Sequence, residues 1–241
     1  MLQYNGFNPA KLMKTTDTVA LPRGGFKLKK MTDYSRVRRF ISYLLRNRDF
    51  QFNRLKLEKD VYLNLGCGPN HKPGFINLDY FWTPEIDVCW DMACPLPLPD
   101  ASVSGIFTEH CLEHLSYEDG AKALQEIHRL LRPGGVARIV VPDAQLYLQL
   151  YEKRKVGAKD LFPYESFGEF PELQTPMMWV NAVFRFHGHL YAYDFETLQH
   201  RLKGQGFSKI TRCEFQGGSD PKLLVDEPWR QSESLYVEAQ K

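Results

Sequence analysis

Residues 61–79, "VYLNLGCGPNHKPGFINLD", hold two short apolar runs on either side of a glycine-bracketed turn. The first run, 61–65, is rich in strand formers and almost wholly apolar, as a strand buried on both faces of a sheet requires. Gly66 and Gly68 flank Cys67 directly after it, where a missing Cβ lets backbone come close to a ligand. The second run, 75–79, ends on Asp79. Only residues 66–74 separate the runs, and they include Pro69 and Pro73. A helical crossover between parallel strands takes about a dozen residues or more. The first crossover is therefore expected to be a loop or turn, with another segment covering that side of the sheet.

Working outward, 86–90, 104–108 and 136–142 are further apolar strand candidates. Between the last two, Ala121, Leu124, Ile127, Leu130 and Leu131 recur at helical spacing until "RPGG" stops the helix. A helix over 194–207 has Asp194 placed to cap it and Gly204 and Gly206 to end it, and residues 208–215 and 233–240 alternate as two closing strands. Apolar strands separated by helices predict an α/β fold: a seven-stranded, mostly parallel sheet with helices on both faces.

The 241 residues are 43% hydrophobic and 25% charged, as in an ordinary globular chain. No stretch approaches the roughly 20 apolar residues of a membrane span, and no secretory signal is visible. Five cysteines without a C-x-x-C pair read as reduced thiols, hence a cytoplasmic location. Charge is unevenly spread: residues 1–60 hold 14 basic and 5 acidic side chains, a net of +9, and residues 61–241 a net of −7. Residues 1–30 read as an irregular arm. Residues 33–48 read as a basic amphipathic helix, with Tyr34, Val37, Phe40, Ile41, Leu44 and Leu45 on its apolar stripe. That stripe is expected to pack on the domain behind it and cover the short crossover; a role at an acidic membrane surface, a nucleic acid or an acidic substrate is the alternative. The expected organisation is thus an arm and helix over 1–58 and a main domain over 59–241.

In sheets of this kind ligands lie beyond the carboxyl ends of the strands. Four consecutive strand ends carry suitable residues: the Gly66–Gly68 loop, Asp79, Asp91 and Thr108-Glu109-His110. A carboxylate at Asp79 can accept both hydroxyls of a ribose, and Asp91 can accept from an adenine amino group. "VYLNLGCGP", "INLD", "DMACPLPLPDASVSGIFTEHCLEHL" and "EIHRLLRPGGVARIVVP" together resemble class I S-adenosylmethionine-dependent methyltransferases over about residues 61–142. More narrowly, they are similar to those of saccharide and cell-surface polymer biosynthesis.

The resemblance implies a Rossmann-like fold and S-adenosylmethionine as cofactor, with S-adenosylhomocysteine as product. It implies a cofactor set of Asn64, Gly66, Cys67, Gly68, Pro69, Asp79, Tyr80, Asp91, Met92, Ala93, Thr108, Glu109 and His110. Asn64 stands where the family usually has an acidic residue, so no carboxylate is available there for the cofactor's ammonium group. A dinucleotide-binding reading is disfavoured, because G-x-G-x-x-G is missing and Asp79 follows Gly66 by 13 residues rather than about 20.

The segment "HCLEH", 110–114, also spells H-x-x-E-H, a zinc-hydrolase signature. It begins at a strand end rather than on a sustained helix, which disfavours that chemistry. A second arrangement, similar to that of some RNA methyltransferases, would hold a divalent ion through a Glu-His pair after the fourth strand plus a later histidine, His187 or His189. No metal ligand is assigned from the sequence.

Residues 143–193 are more than a connection needs and are expected to form an acceptor pocket and lid. Its aromatic residues suit either a sugar platform or a small core of their own. His189, His187, His110 and His114 are the candidates for a general base, the H-G-H pair foremost, with Glu165, Glu169 and Asp143 as alternatives. The expected reaction is methyl transfer to a small-molecule or saccharide acceptor at a hydroxyl. An RNA or protein methyltransferase with a basic arm is the alternative, although the acidic main domain speaks against nucleic acid; a non-catalytic binding module is a third reading.

Overall fold

The structure, a computed structural model, describes residues 36–55, 60–166, 168 and 170–241. The expected arm and Glu169 lie outside the described residues.

Seven strands form one sheet in the order β3-β2-β1-β4-β5-β7-β6. They are β1 (Tyr62–Leu65), β2 (Ile76–Asp79), β3 (Val88–Cys89), β4 (Val103–Glu109), β5 (Leu131–Pro142), β6 (Lys209–Cys213) and β7 (Ser234–Gln240). The first five run parallel, and β7 is antiparallel to both β5 and β6. This is the mostly parallel, seven-stranded sheet expected from the strand pattern, in the Rossmann-like arrangement that the resemblance implies. "RPGG" ends the preceding helix as expected but lies inside β5. Pairing with β4 jumps from Val103↔Leu131 to Gly105↔Val136, and Gly134, at φ +78°, takes up the excess chain.

Alternation along the strands sends Leu63, Leu65, Ile106, Ala137, Ile139, Val141 and Val237 to one face. There they meet Leu124 and Ile127 of α2 (Tyr117–Leu130) and Leu198 and Leu202 of α6 (Phe195–Gly204). Ser116 caps α2 by accepting from the Asp119 amide, and Asp194 caps α6 through the Thr197 amide at 2.8 Å.

The other face carries Phe107, Val136, Val140 and Tyr236, packed under Phe75 and Leu223 with Phe215 and Val225 at the margin. The basic helix was expected to cover the short first crossover. Instead residues 214–228, between β6 and β7, lie over the middle of this face. Arg138 of β5 pins them: it is fully buried and pairs with both oxygens of Asp226 at 2.6 and 2.7 Å. It also donates to the carbonyls of Gly217 and Glu214. Such a charge tolerates burial only when both oxygens and the remaining donors are satisfied, and here they are.

The basic helix, α1 (Arg36–Leu45), docks at the β3 edge. The Asn47 amide donates to the Cys89 carbonyl, and the Gln51 side chain accepts from the Cys89 amide. These contacts close an edge strand that would otherwise present unpaired backbone. The face turned inward is Ser42 with half-buried Ile41 and Leu45, whereas Val37, Phe40, Tyr43 and Leu44 are exposed. Only part of the expected apolar stripe therefore faces the domain: Leu45 packs against Cys67, Ile86 and Cys89, and Ser42 accepts from the Trp82 amide at 2.8 Å.

Residues 144–185 fold back as α3 (Ala144–Lys155), α4 (Pro163–Ser166) and α5 (Pro176–Arg185). Tyr147, Phe162, Tyr164, Phe170 and Trp179 are buried against one another in a separate small core. These rings are therefore a satellite core, not a free stacking platform.

Candidate active site

The loop after β1 is held from three directions. The Cys67 amide donates to the Leu78 carbonyl at 3.0 Å, and the Gly68 amide donates to Asp79 Oδ2 at 2.8 Å. The other Asp79 oxygen accepts from the Phe81 amide at 2.8 Å. Burial raises the Asp79 pKa, opposed by these two amide hydrogen bonds. Each carboxylate oxygen keeps a second lone pair for a ligand hydroxyl.

Gly66, at φ +68°, has no room for a side chain: a Cβ there would lie 2.0 Å from Cys111 Sγ. Gly68, at φ +50°, has nothing within 4 Å of the equivalent position, so its missing side chain leaves open space on the loop. Pro69 is exposed beside it. At the β3 end, the Asp91 amide donates to Asn47 Oδ1, and Asp91 Oδ1 accepts from the Ala93 amide. Arg46 lies 3.4 Å from the centroid of the half-exposed Tyr80 ring and donates to the Tyr80 carbonyl. Met92 Sδ touches Cys111 Sγ at 3.3 Å.

Two members of the expected cofactor set are turned inward. Asn64 is 2% exposed and gives its amide to the Asn70 carbonyl and to Asn77 Oδ1, so it supports the short crossover from beneath. Cys67 is buried with Ile86 and Cys89, leaving only its backbone at the loop. All five cysteines are free thiols.

Beyond β4, the remaining candidates gather around Glu113. Its carboxylate is buried, makes no hydrogen bond through either oxygen, and is pushed up to about 8 by desolvation. Oε1 lies 3.6 Å from His110 Nδ1, 4.0 Å from His114 Nε2 and 3.9 Å from His189 Nε2. The structure thus joins residues 110–114 to the H-G-H pair across about 75 positions of sequence. The backbone Glu113 carbonyl helps, accepting from the Leu190 and Tyr191 amides. His187, at φ +58°, is half-buried and lies edge-on to Tyr164 and Phe170.

The histidines differ in what they can do. Arg230 Nη1 donates to His110 Nδ1 at 2.8 Å, which leaves the His110 proton on Nε2, donated to Ser234 Oγ at 2.7 Å. Burial and the Arg230 charge hold His110 neutral, well below its ordinary value. His189 donates from Nδ1 to the Val183 carbonyl at 2.8 Å, and burial lowers it to about 4. Neither His110 nor His189 is a good proton acceptor near pH 7. The His114 side chain is 35% exposed, against 5% for His110 and 4% for His189, and its pKa is also lowered by burial.

Of the acidic alternatives, Asp143 caps α3 and pairs with Arg212 at 2.8 Å, and Glu165 bonds Arg154 and the Phe162 amide. Both are structural. Glu109, at the end of β4, accepts from the Glu227 amide through Oε1, while Oε2 is buried without a partner, and desolvation raises it to about 7.

Sequence reasoning missed Glu227, Arg230 and Glu233, which approach the site from the 214–233 segment, and Ser234 at the start of β7. Lys72 of the first crossover reaches Glu227 Oε1 at 2.6 Å, and Arg230 pairs with Glu233 at 2.9 Å. The available signal was length alone: the segment between β6 and β7 far exceeds a hairpin loop. A cavity of about 750 Å³ lies elsewhere, lined by Lys122, Glu126, Arg129 and Gly204, and shares only Ala93 with the site.

Residues 79–139 match the family model described as a methyltransferase domain. Over 122 residues the chain is 31% identical to a probable S-adenosylmethionine-dependent methyltransferase of Mycolicibacterium smegmatis. That match covers 42% of this chain and spans about half, 46%, of the relative. Among solved structures, the chain is similar to an S-adenosylmethionine-dependent methyltransferase from Archaeoglobus fulgidus, with 14% identity, 85% and 94% coverage and a TM-score of 0.45. A possible histamine N-methyltransferase from Thermotoga maritima gives 17% identity, the same coverages and the same TM-score.

Proposed function

We propose that this protein transfers a methyl group from S-adenosylmethionine to a hydroxyl of a small-molecule or saccharide acceptor, releasing S-adenosylhomocysteine. One observation carries the reading. The segment matching the methyltransferase domain brings Asp79, Asp91 and Thr108–Glu109 to one sheet edge, beside a glycine loop that Asp79 itself clamps. In this reading the Gly66–Gly68 loop approaches the methionine portion, Asp79 takes the ribose hydroxyls and the Asp91–Ala93 turn borders the adenine.

Methyl transfer is an in-line displacement, so the protein's main work is to align donor and acceptor and exclude water. The acceptor side is the pocket wall made by Glu109, Glu113, His114 and His187, with residues 143–193 as its lid. His114 is the histidine best able to take the acceptor proton, because His110 and His189 are engaged and held neutral. The exposed Val37, Phe40, Tyr43 and Leu44 of α1, set among Arg36 and Arg39, fit a peripheral contact with an anionic membrane.

Calorimetric titration with S-adenosylhomocysteine tests the cofactor assignment. Micromolar binding by the intact chain, weakened at least tenfold in Asp79→Asn, is expected. An intact chain that binds no S-adenosylhomocysteine would remove the reading.

A further inference from the structure

We propose that Glu113, His114 and His189 form a binding site for a divalent first-row transition ion, zinc foremost, at the acceptor end of the cleft. One ligand atom from each of the three residues lies within 4.8 Å of the other two. A tetrahedral ion with bonds of about 2.1 Å needs ligand atoms roughly 3.4 Å apart. The observed Glu113–His114 and Glu113–His189 separations of 4.0 and 3.9 Å require closure by little more than half an ångström.

Three features, independent of that proximity, point to a cation. The Glu113 side chain is 2% exposed, and neither oxygen has a hydrogen bond. A carboxylate so placed is costly unless something positive completes it. His189 is turned by its Nδ1–H bond to the Val183 carbonyl, so that Nε2 faces Glu113 as a free lone pair. His114 is oriented similarly, with Nδ1 beside the Gly188 backbone and Nε2 toward Glu113. Fixing a ring by bonding its second nitrogen to a carbonyl is the usual outer-shell support of a metal-ligating histidine.

The donor set also selects the ion. Two imidazoles and one carboxylate suit zinc and its first-row neighbours, whereas magnesium and calcium prefer oxygen throughout. Three protein ligands leave a coordination position for water or an acceptor oxygen. Two positive or neutral neighbours also bear on the site. Arg230 pairs with Glu233 at 2.9 Å and donates to His110 Nδ1 at 2.8 Å, so that nitrogen, although 3.6 Å from Glu113 Oε1, has its lone pair occupied and is not counted as a ligand. With an ion bound, His114 Nε2 would be a ligand and no longer a base, and the ion would acidify a bound acceptor hydroxyl in its place. That consequence rests on the methyltransferase reading; the metal site does not.

The test uses the full chain, stripped with chelator and dialysed, then titrated with Zn²⁺ alone by calorimetry. One ion per chain is expected, with affinity at least tenfold weaker in Glu113→Gln and in His189→Ala and unchanged in the exposed-helix control His200→Ala. Co²⁺ added to the unsubstituted chain reads the site even where a variant does not fold, and intense visible bands of a low-coordinate ion are expected. S-adenosylhomocysteine titration of Glu113→Gln separates the two readings, since cofactor binding is expected to survive there. The proposal is overturned if the chain takes up no zinc, if Co²⁺ gives no such bands, or if Glu113→Gln and His189→Ala bind zinc as the unsubstituted chain does.

Discussion

Gly66→Ala and Gly68→Ala are predicted to fail in different ways, although both glycines are in one loop at positive φ. At Gly66 the backbone sits at φ +68°, and an added Cβ would meet Cys111 Sγ at 2.0 Å and its Cβ at 2.6 Å. Left-handed backbone costs an alanine about 1–2 kcal/mol. Relieving overlap with a neighbour packed against Met92 adds about 1–3 kcal/mol. A total of about 3 kcal/mol corresponds to roughly 6–12 °C in Tm for a chain of this size. At Gly68 only the backbone cost of about 1–2 kcal/mol applies, because no atom lies within 4 Å of the new Cβ.

Urea denaturation of both variants, and of Gly66→Ala combined with Cys111→Ala, separates the contributions. The double variant is expected to recover only the thiol's share of the overlap, because alanine at 111 keeps the Cβ at 2.6 Å, and to retain the backbone portion, a coupling of about 1 kcal/mol. Gly68→Ala, destabilised only by the backbone cost, is expected to lose S-adenosylhomocysteine affinity because its methyl group projects into the cleft. The reasoning is refuted if Gly66→Ala is no less stable than Gly68→Ala, or if removing the Cys111 thiol restores nothing.

Asp226→Ala leaves the fully buried Arg138 without its carboxylate, so a loss of about 3–5 kcal/mol is expected, while Arg138→Met with Asp226→Leu should cost much less; urea midpoints compare them. Glu109 is raised by burial from 4.5 to about 7, so the folded protein holds its proton where the unfolded chain does not. Its stabilising contribution is full below about pH 4.5 and falls away as pH rises toward 7; Glu109→Gln should flatten that slope in urea midpoints taken across the window, and an unchanged slope would contradict the assignment. Sedimentation with vesicles rich in anionic lipid should retain the full chain and lose it on Arg36→Glu with Arg39→Glu, whereas equal binding by both would reject the α1 contact.

The chemistry at the strand ends was legible because strand, glycine loop and carboxylate follow one another within the sequence. Gly66, Gly68, Asp79 and Asp91 each end or follow an apolar run, and parallel strands bring such ends to one edge. The short first crossover was legible too, from nothing more than chain length between Leu65 and Phe75. What covers it was not. Arg138 reads in sequence as a lone charge in an apolar strand, and only its pairing with Asp226, 88 positions away, shows why residues 214–228 lie over that face.

The α1 stripe was misread in part for a related reason. Periodicity reports that a helix has an apolar side but not where that side points, and here Leu45 shares the inward side with a serine that bonds the Trp82 amide. Residues 110–114 illustrate the same limit at the site. Local spacing places Glu113 beside His114, but whether the carboxylate is buried, unpaired and faced by His189 depends on how the 143–193 segment returns to the sheet. Periodicity and spacing determined the strands, the glycine loop and the sheet edge where Asp79 and Asp91 gather, because those are properties of neighbours along the chain. The buried charges and the histidine cluster were decided by tertiary packing, because desolvation and ligand geometry arise between segments far apart in sequence.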